Sequence, residues 1–260
     1  EKNFVVKKLE INFKNPKIHR DKTFPLQPGL HKNLPQEALR DLKTKIAIDS
    51  ALFIINDFQY TEFEPNATRK SSISVTDASA LITNITNMKD KLLYNPNMLT
   101  EIHGKLMGVS DVKVEMDMNL KSLGNEYSFM AECDALPLNT LNPIIEPGLK
   151  ISVKEGMNQK LEVYFQANED SAVGSIKFEY SDLKISVLNT RSGEIREDKF
   201  VSFLVNSMAL KTDNPKPGRL LIPTKFKNYR DKERSIVGYN WQSIYAGIKA
   251  TLGIKDKEEQ

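Results

Sequence analysis

Polar and apolar residues alternate along most of the first 190 positions, the pattern of pleated strands with one face buried and the other in water. Leu9, Ile11 and Phe13 alternate with Lys8, Glu10 and Asn12. From Leu99 to Leu120 the beat runs through Ile102, Gly104 and Leu106, then Val112, Val114, Met116, Met118 and Leu120, with a hairpin turn at Gly108 to Asp111. It continues through Tyr127, Phe129, Ala131 and Cys133, and later through Ile151 and Val153, then Leu161, Val163 and Phe165, with a tight turn expected at Glu155-Gly156. Leu138 to Glu146, punctuated by Asn142-Pro143 and Pro147-Gly148, fits a short helix. Pro16, Pro25, Pro28 and Pro35 with Gly29 predict an irregular surface connection from Asn15 to Pro35.

Two places step out of phase. Ile176, Phe178 and Tyr180 carry the apolar face until Asp182, after which Leu183, Ile185 and Val187 carry it. Ala51, Phe53 and Ile55 give way to Phe58 and Tyr60 across Asn56-Asp57 in the same manner. A one-residue slip turns a buried row toward water unless an extra residue bulges and restores the phase. Bulges at Ser181-Asp182 and at Asn56-Asp57 would keep both rows on one face and curl the sheet; a tight turn between short strands is the other reading, although neither site has the glycine such turns favour.

Beyond residue 190 the period becomes helical. Val201, Leu204, Val205 and Met208 form one stripe between Asp198 and Lys211, ended by Asn214-Pro215. Val237, Trp241, Ile244, Tyr245, Ile248 and Leu252 form a second, with Gly253 placed for a C-terminal cap and Trp241 expected to anchor the helix on the sheet. The expected fold is mainly β with flanking helices: a curled antiparallel sheet forming a groove, followed by two C-terminal α-helices. Residues 1–35 give an N-terminal strand and Pro-rich connection, 36–190 the sheet, and 191–260 a helical segment packed on it.

Charge and chemistry narrow the function by exclusion. Lys and Arg number 37 against 34 Asp and Glu, and a net of +3 gives no footprint for nucleic acid. No apolar run is long enough to cross a membrane as a helix, and the given sequence begins at Glu1 without Met, so any signal peptide or anchor would lie outside it. Cys133, the single cysteine, falls on the apolar phase and reads as a buried, inert thiol. His19, His31 and His103 stand in unrelated contexts, and no nucleophile elbow, phosphate loop or zinc-protease motif occurs. Asp111, Glu115 and Asp117 occupy the polar positions of an alternating strand and read as a solvated face. These features assign no catalytic residue, metal ligand or cofactor, and the chain reads as a non-enzyme.

The C-terminal half resembles the corresponding region of AsmA-like bacterial envelope proteins, particularly those of Bacteroidota. The resemblance is carried by G-S-I-K-F-E-Y-S-D-L-K (Gly174 to Lys184), by the Asn214-Pro215 stop, and by Y-R-D-K-E-R-S-I-V-G-Y-N-W-Q-S-I-Y-A-G-I-K (Tyr229 to Lys249). Leu161 to Asn168, Ile82 to Asn87 and Met98 to Leu106 extend it over most of Leu42 to Gly253. It implies membership of the repeating β-groove, bridge-like lipid transfer proteins: a trough with an apolar lining, an inner-membrane anchor outside the given sequence, a periplasmic location, and a part in outer-membrane phospholipid homeostasis without bond chemistry.

The residues lead to the same place by a separate route. A strand with one apolar face must cover it with a second sheet, a helix or a ligand. Apolar rows on at least seven strands exceed what two helices can cover, so either acyl chains or a closed β core completes them. The first option makes the protein lipid-binding or lipid-conveying. The second makes it a structural or scaffolding envelope protein that binds a protein partner. The expected groove contacts are Val112, Val114, Met116, Met118, Phe129, Leu161, Val163, Phe165, Ile176 and Phe178.

Overall fold

The structure, a computed structural model, describes residues 3–24, 29–65, 67, 69–191, 194–197 and 211–254. Among them the alternating segments become twelve strands: β1 (Asn3–Phe13), β2 (Lys17–Asp21), β3 (Lys45–Phe63), β4 (Ser71–Thr86), β5 (Asn97–Leu106), β6 (Ser110–Asn119), β7 (Tyr127–Cys133), β8 (Leu136–Pro137), β9 (Ile151–Ala167), β10 (Ser171–Arg191), β11 (Glu194–Glu197) and β12 (Thr224–Tyr229). Four helices accompany them: α1 (Pro35–Asp41), α2 (Lys89–Tyr94), α3 (Asn142–Leu149) and α4 (Ile236–Leu252), with a 3-10 turn at Leu138–Leu141 ahead of α3. All strands belong to one curled, open sheet that does not close into a barrel. Its order is β1-β3-β4-β5-β6-β7-β9-β10-β11, with β2 beside β3, β8 beside β9 and β12 beside β10.

Antiparallel pairing holds from β3 onward, but β1 and β2 run parallel to β3. The expected irregular connection therefore contains a strand, β2, directly after Pro16. Proline is tolerated there because an edge strand needs no inward N–H at that point, and the Pro16 carbonyl still accepts the N–H of Gln59 at 3.1 Å. On the other side, β10 is edged in turn by β12, by a bridge between Tyr180 and Asn214, and by β11.

Where a turn was expected or was the second reading, the chain runs on as one long strand. Leu42 to Phe63 holds one strand of 19 residues, and β9 passes straight through Glu155-Gly156, where a turn was expected. Gly156 instead takes a φ of 139°, and a Cβ there would lie 3.3 Å from the Leu183 backbone, so its lack of a side chain serves a close strand approach. Opposite it, β10 shifts register against β9 around Ser181 to Ile185, and Asp182 takes a left-handed φ of 55°. Phe178 and Tyr180 before the shift and Leu183 after it are all buried.

At Asn56-Asp57 the β3–β4 ladder keeps a constant register, and the shift lies between β4 and β5, from Thr76 to Ser79, where Asp77 has a φ of 49°. Val75 and Ala78 both border Gly104, so β4 changes phase at Asp77. Their partners Phe58 and Ile55 consequently share a face, and β3 takes the same step at Asn56-Asp57.

One end of the apolar face is packed by α4. Its buried side is made of Tyr239, Asn240, Ser243, Gly247 and Thr251, while Val237 is 74% and Trp241 48% exposed. This corrects the expected role of Trp241 as the packing anchor. Small residues let the helix come close: a Cβ on Gly247 would lie 3.0 Å from Ile176 and from Phe226. The Ser243 and Thr251 hydroxyls donate to carbonyls one turn back, so both are satisfied within the helix. The other helix expected, from Asp198 onward, lies outside the described residues except for Lys211.

Candidate functional site

Strand pairing places the sequence-derived candidates in continuous rows across the sheet. One row reads Ile11, Phe53, Ala80, Ile102, Val114, Ala131, Val163 and Ile176 from β1 to β10. The next reads Leu9, Ala51, Ile82, Thr100, Met116, Phe129, Phe165, Gly174 and Phe226. On one flank Val112, Cys133, Leu161 and Phe178 line up, and on the other Met98, Met118, Tyr127 and Ala167. All ten candidates thus occupy one contiguous apolar patch.

The patch is covered unevenly. Met118, Phe129, Val163, Phe165, Ile176 and Phe178 are each at most 6% exposed. They are packed by the protein itself: Phe129 stacks on Phe165 with centroids 4.6 Å apart, and Phe165 meets Tyr127 and Phe226 edge-on. A ligand in this structure has no access to these six. Tyr127 ties the cover down by donating a 2.7 Å hydrogen bond from its hydroxyl to Asn240 of α4, whose amide nitrogen lies 3.5 Å from the Met116 sulfur.

Val112, Val114, Met116 and Leu161 are only half-buried, and so are Ile102, Leu106, Val75, Phe53 and Ile55 farther along the rows. The apolar face therefore emerges from its cover between β7 and β3. These outer members were missed because they lie in separate strands of the sequence, and only the register of β3, β4 and β5 joins them to the Val114 row. Helix α3 marks one boundary of this open stretch. It packs against both β4 and β9, which three strands separate in the sheet, and Glu146 of α3 pairs with Arg69 just before β4. A helix can touch both strands because the sheet is curled.

At the opposite boundary, α1 is pinned through side chains. Gln36 donates to the carbonyls of Asn125 and Glu126, Arg40 to that of Ser122, and Asn87 to those of Leu39 and Thr44. Nearby, the fully buried Arg230 side chain bonds Glu169 and the Lys32 carbonyl. His31, Glu37 and Glu169 bring ligand atoms within 4.8 Å of one another, the spacing of a metal site. Glu169 already receives Arg230 and Asn125, however, so its oxygens are committed to a clamp joining the β9–β10 turn to the β6–β7 connection and to the end of β12.

The reverse face is polar and carries cross-strand ion pairs, among them Lys105–Asp111, Lys113–Glu101, Lys160–Glu132 and Lys177–Glu162. Asp117 accepts from Asn97 at 3.3 Å. A hollow of about 420 Å³ lies on this face, lined by Leu81, Leu99, Met130 and Tyr164 with Glu101, Glu115 and Asp117. His19 bonds the Thr61 hydroxyl and His103 bonds Glu101, both on the exposed surface and outside the apolar rows. Burial pushes the Cys133 thiol up, which keeps it protonated and unreactive near neutral pH. Compared with protein-family models, curated proteins and solved structures, the chain matches none of them.

Proposed function

We propose that the protein binds lipid without catalysis, an acyl chain lying in a groove along the half-buried rows from β3 to β7. The observation that carries this reading is the emergence of a continuous apolar face from beneath α4, with Phe53, Ile102, Val112, Val114 and Met116 half-buried where the rows could have been sealed. Each methylene placed there gains about 0.8 kcal/mol by leaving water. Met116 adds a polarizable, adaptable surface suited to varied chains. The sealed half, from Phe129 to Phe178, is a scaffold that holds the open half in shape.

The resemblance to AsmA-like proteins favours a phospholipid as ligand, a periplasmic location and a role in moving or retaining lipid for the outer membrane. Extraction of the purified protein with organic solvent, followed by mass spectrometry, tests the reading. Phospholipid at near one molecule per chain is expected. Lipid-free protein that also fails to take up acyl chains from mixed micelles would overturn the groove and favour the scaffold that binds a protein partner.

A further inference from the structure

The sheet has two ends, and they are built differently. The β10 end is edged by β12, Asn214 and β11. The other end is formed by β1 and β2 laid end to end along β3, an edge of about 60 Å at the usual strand rise, with pairing on one side only among the described residues. Between Asn3 and Phe24 this edge carries six Lys and Arg against two Asp and Glu, an excess larger than the net charge of the whole chain. Arg20 and Lys22 are engaged by Glu62 and Glu64, and Lys8 by Glu10. Lys7, Lys14 and Lys17 are exposed and make no ion pair among the described residues.

Lysines and a proline on an edge strand are a common guard against unwanted strand pairing. That role accounts for the charge but not for the apolar side chains beside it. Phe4 is 53%, Val5 60%, Phe13 42%, Ile18 52% and Phe24 73% exposed, and such residues weaken a guard. Cations mixed with exposed aromatic and aliphatic side chains are what an interface with an anionic bilayer requires: the cations meet phosphate, and the apolar side chains enter the acyl boundary. A second copy of the chain is disfavoured, because pairing this edge with itself would bring two surfaces with the same excess of cations together.

We propose that the β1–β2 edge docks on an anionic phospholipid bilayer. The docked edge is continuous with the proposed groove, since Leu9 and Ile11 of β1 begin the same rows that reach Met116 and Val114. An acyl chain leaving the bilayer at this edge meets apolar side chains at every strand. The docking rests on the lipid reading for its purpose, but it is measured separately.

Flotation with vesicles of phosphatidylcholine alone and of phosphatidylcholine mixed with phosphatidylglycerol tests it. The protein should float with the mixed vesicles, release as salt is raised, and stay behind with the neutral ones. In the triple variant Lys7→Gln, Lys14→Gln, Lys17→Gln the partition should fall roughly a hundredfold, about fivefold per lysine, with an unchanged circular dichroism spectrum. Phe4→Ser with Phe13→Ser should weaken flotation while preserving its salt dependence. If the parent ignores the anionic vesicles, or the triple variant floats as well as the parent, docking is overturned and the lysines are a pairing guard. Retained lipid in the extract alongside failed flotation removes the docking and leaves the groove. Flotation by a protein with an empty, unfillable groove removes the groove and leaves the docking.

Discussion

At single positions the sheet tolerates little. Gly174 faces Phe165 in its row, and a Cβ there would lie 2.1 Å from the Tyr164 carbonyl oxygen and 2.4 Å from the Phe165 Cβ. Gly174→Ala should therefore destabilise the fold by about 3 kcal/mol, read as a lower urea midpoint with unchanged slope. Tyr180 gives a pH signature. Burial, with a smaller push from Asp213, raises its phenol to about 12 from the usual value near 10. The folded state holds this proton more tightly, so the contribution is complete below pH 10 and is lost as pH climbs toward 12. The loss should reach roughly 2 kcal/mol, and Tyr180→Phe should flatten the fall in urea midpoint above pH 10. At neutral pH that variant gives up, among the described residues, the bond from the hydroxyl to the Lys211 carbonyl. The phase of every groove candidate was legible from alternation, because alternation is a local property. The left-handed Asp182 was legible only as a neighbourhood, because such a residue leaves the same one-step slip in the sequence wherever within two or three residues it sits, and Asp77 was not singled out at all.

Among elements, α4 separates what hydrophobic pattern predicts from what packing selects. Of its expected apolar stripe, Val237 and Trp241 face outward while Ile244, Ile248 and Leu252 pack only partly against the core, and Tyr239 is fully buried. Trp241→Ala should cost less than about 1 kcal/mol, whereas Tyr239→Ala should cost about 3 to 5 kcal/mol and loosen the helix from β7 and β12, visible as faster amide exchange in α4. The sequence pattern misled here because closeness of approach, set by Ser243, Gly247 and Thr251, outweighed side-chain size. Strand lengths were underread for a related reason. Glu155-Gly156 looks like a turn to a local reading, and a turn was the second reading of Asn56-Asp57, yet cross-strand pairing over 17 and 19 residues carries the chain straight through them. The parallel placement of β1 and β2 leaves no local trace, since alternation does not report strand direction.

For the whole molecule, the consequential feature is that one apolar row crosses from a sealed half to an open half. Ile102 and Val163 stand in the same row with Val114 and Ala131 between them, so an aspartate at either site meets the same sheet and the same strand geometry. Only their surroundings differ: Val163 is 1% exposed, and Ile102 is half-buried. Val163→Asp buries an unpaired charge and should leave little folded protein, a loss of about 4 kcal/mol or more. Ile102→Asp should fold, with a urea midpoint near that of the parent, yet lose the co-purifying acyl chain because a hydrated carboxylate now sits in its path. Equal unfolding by both substitutions would mean that the row is closed along its whole length, and the lipid groove would have to be given up. Retention of lipid by a folded Ile102→Asp protein would be equally damaging, since it would place the ligand elsewhere, with the hollow beside Leu99 and Tyr164 the next surface to probe.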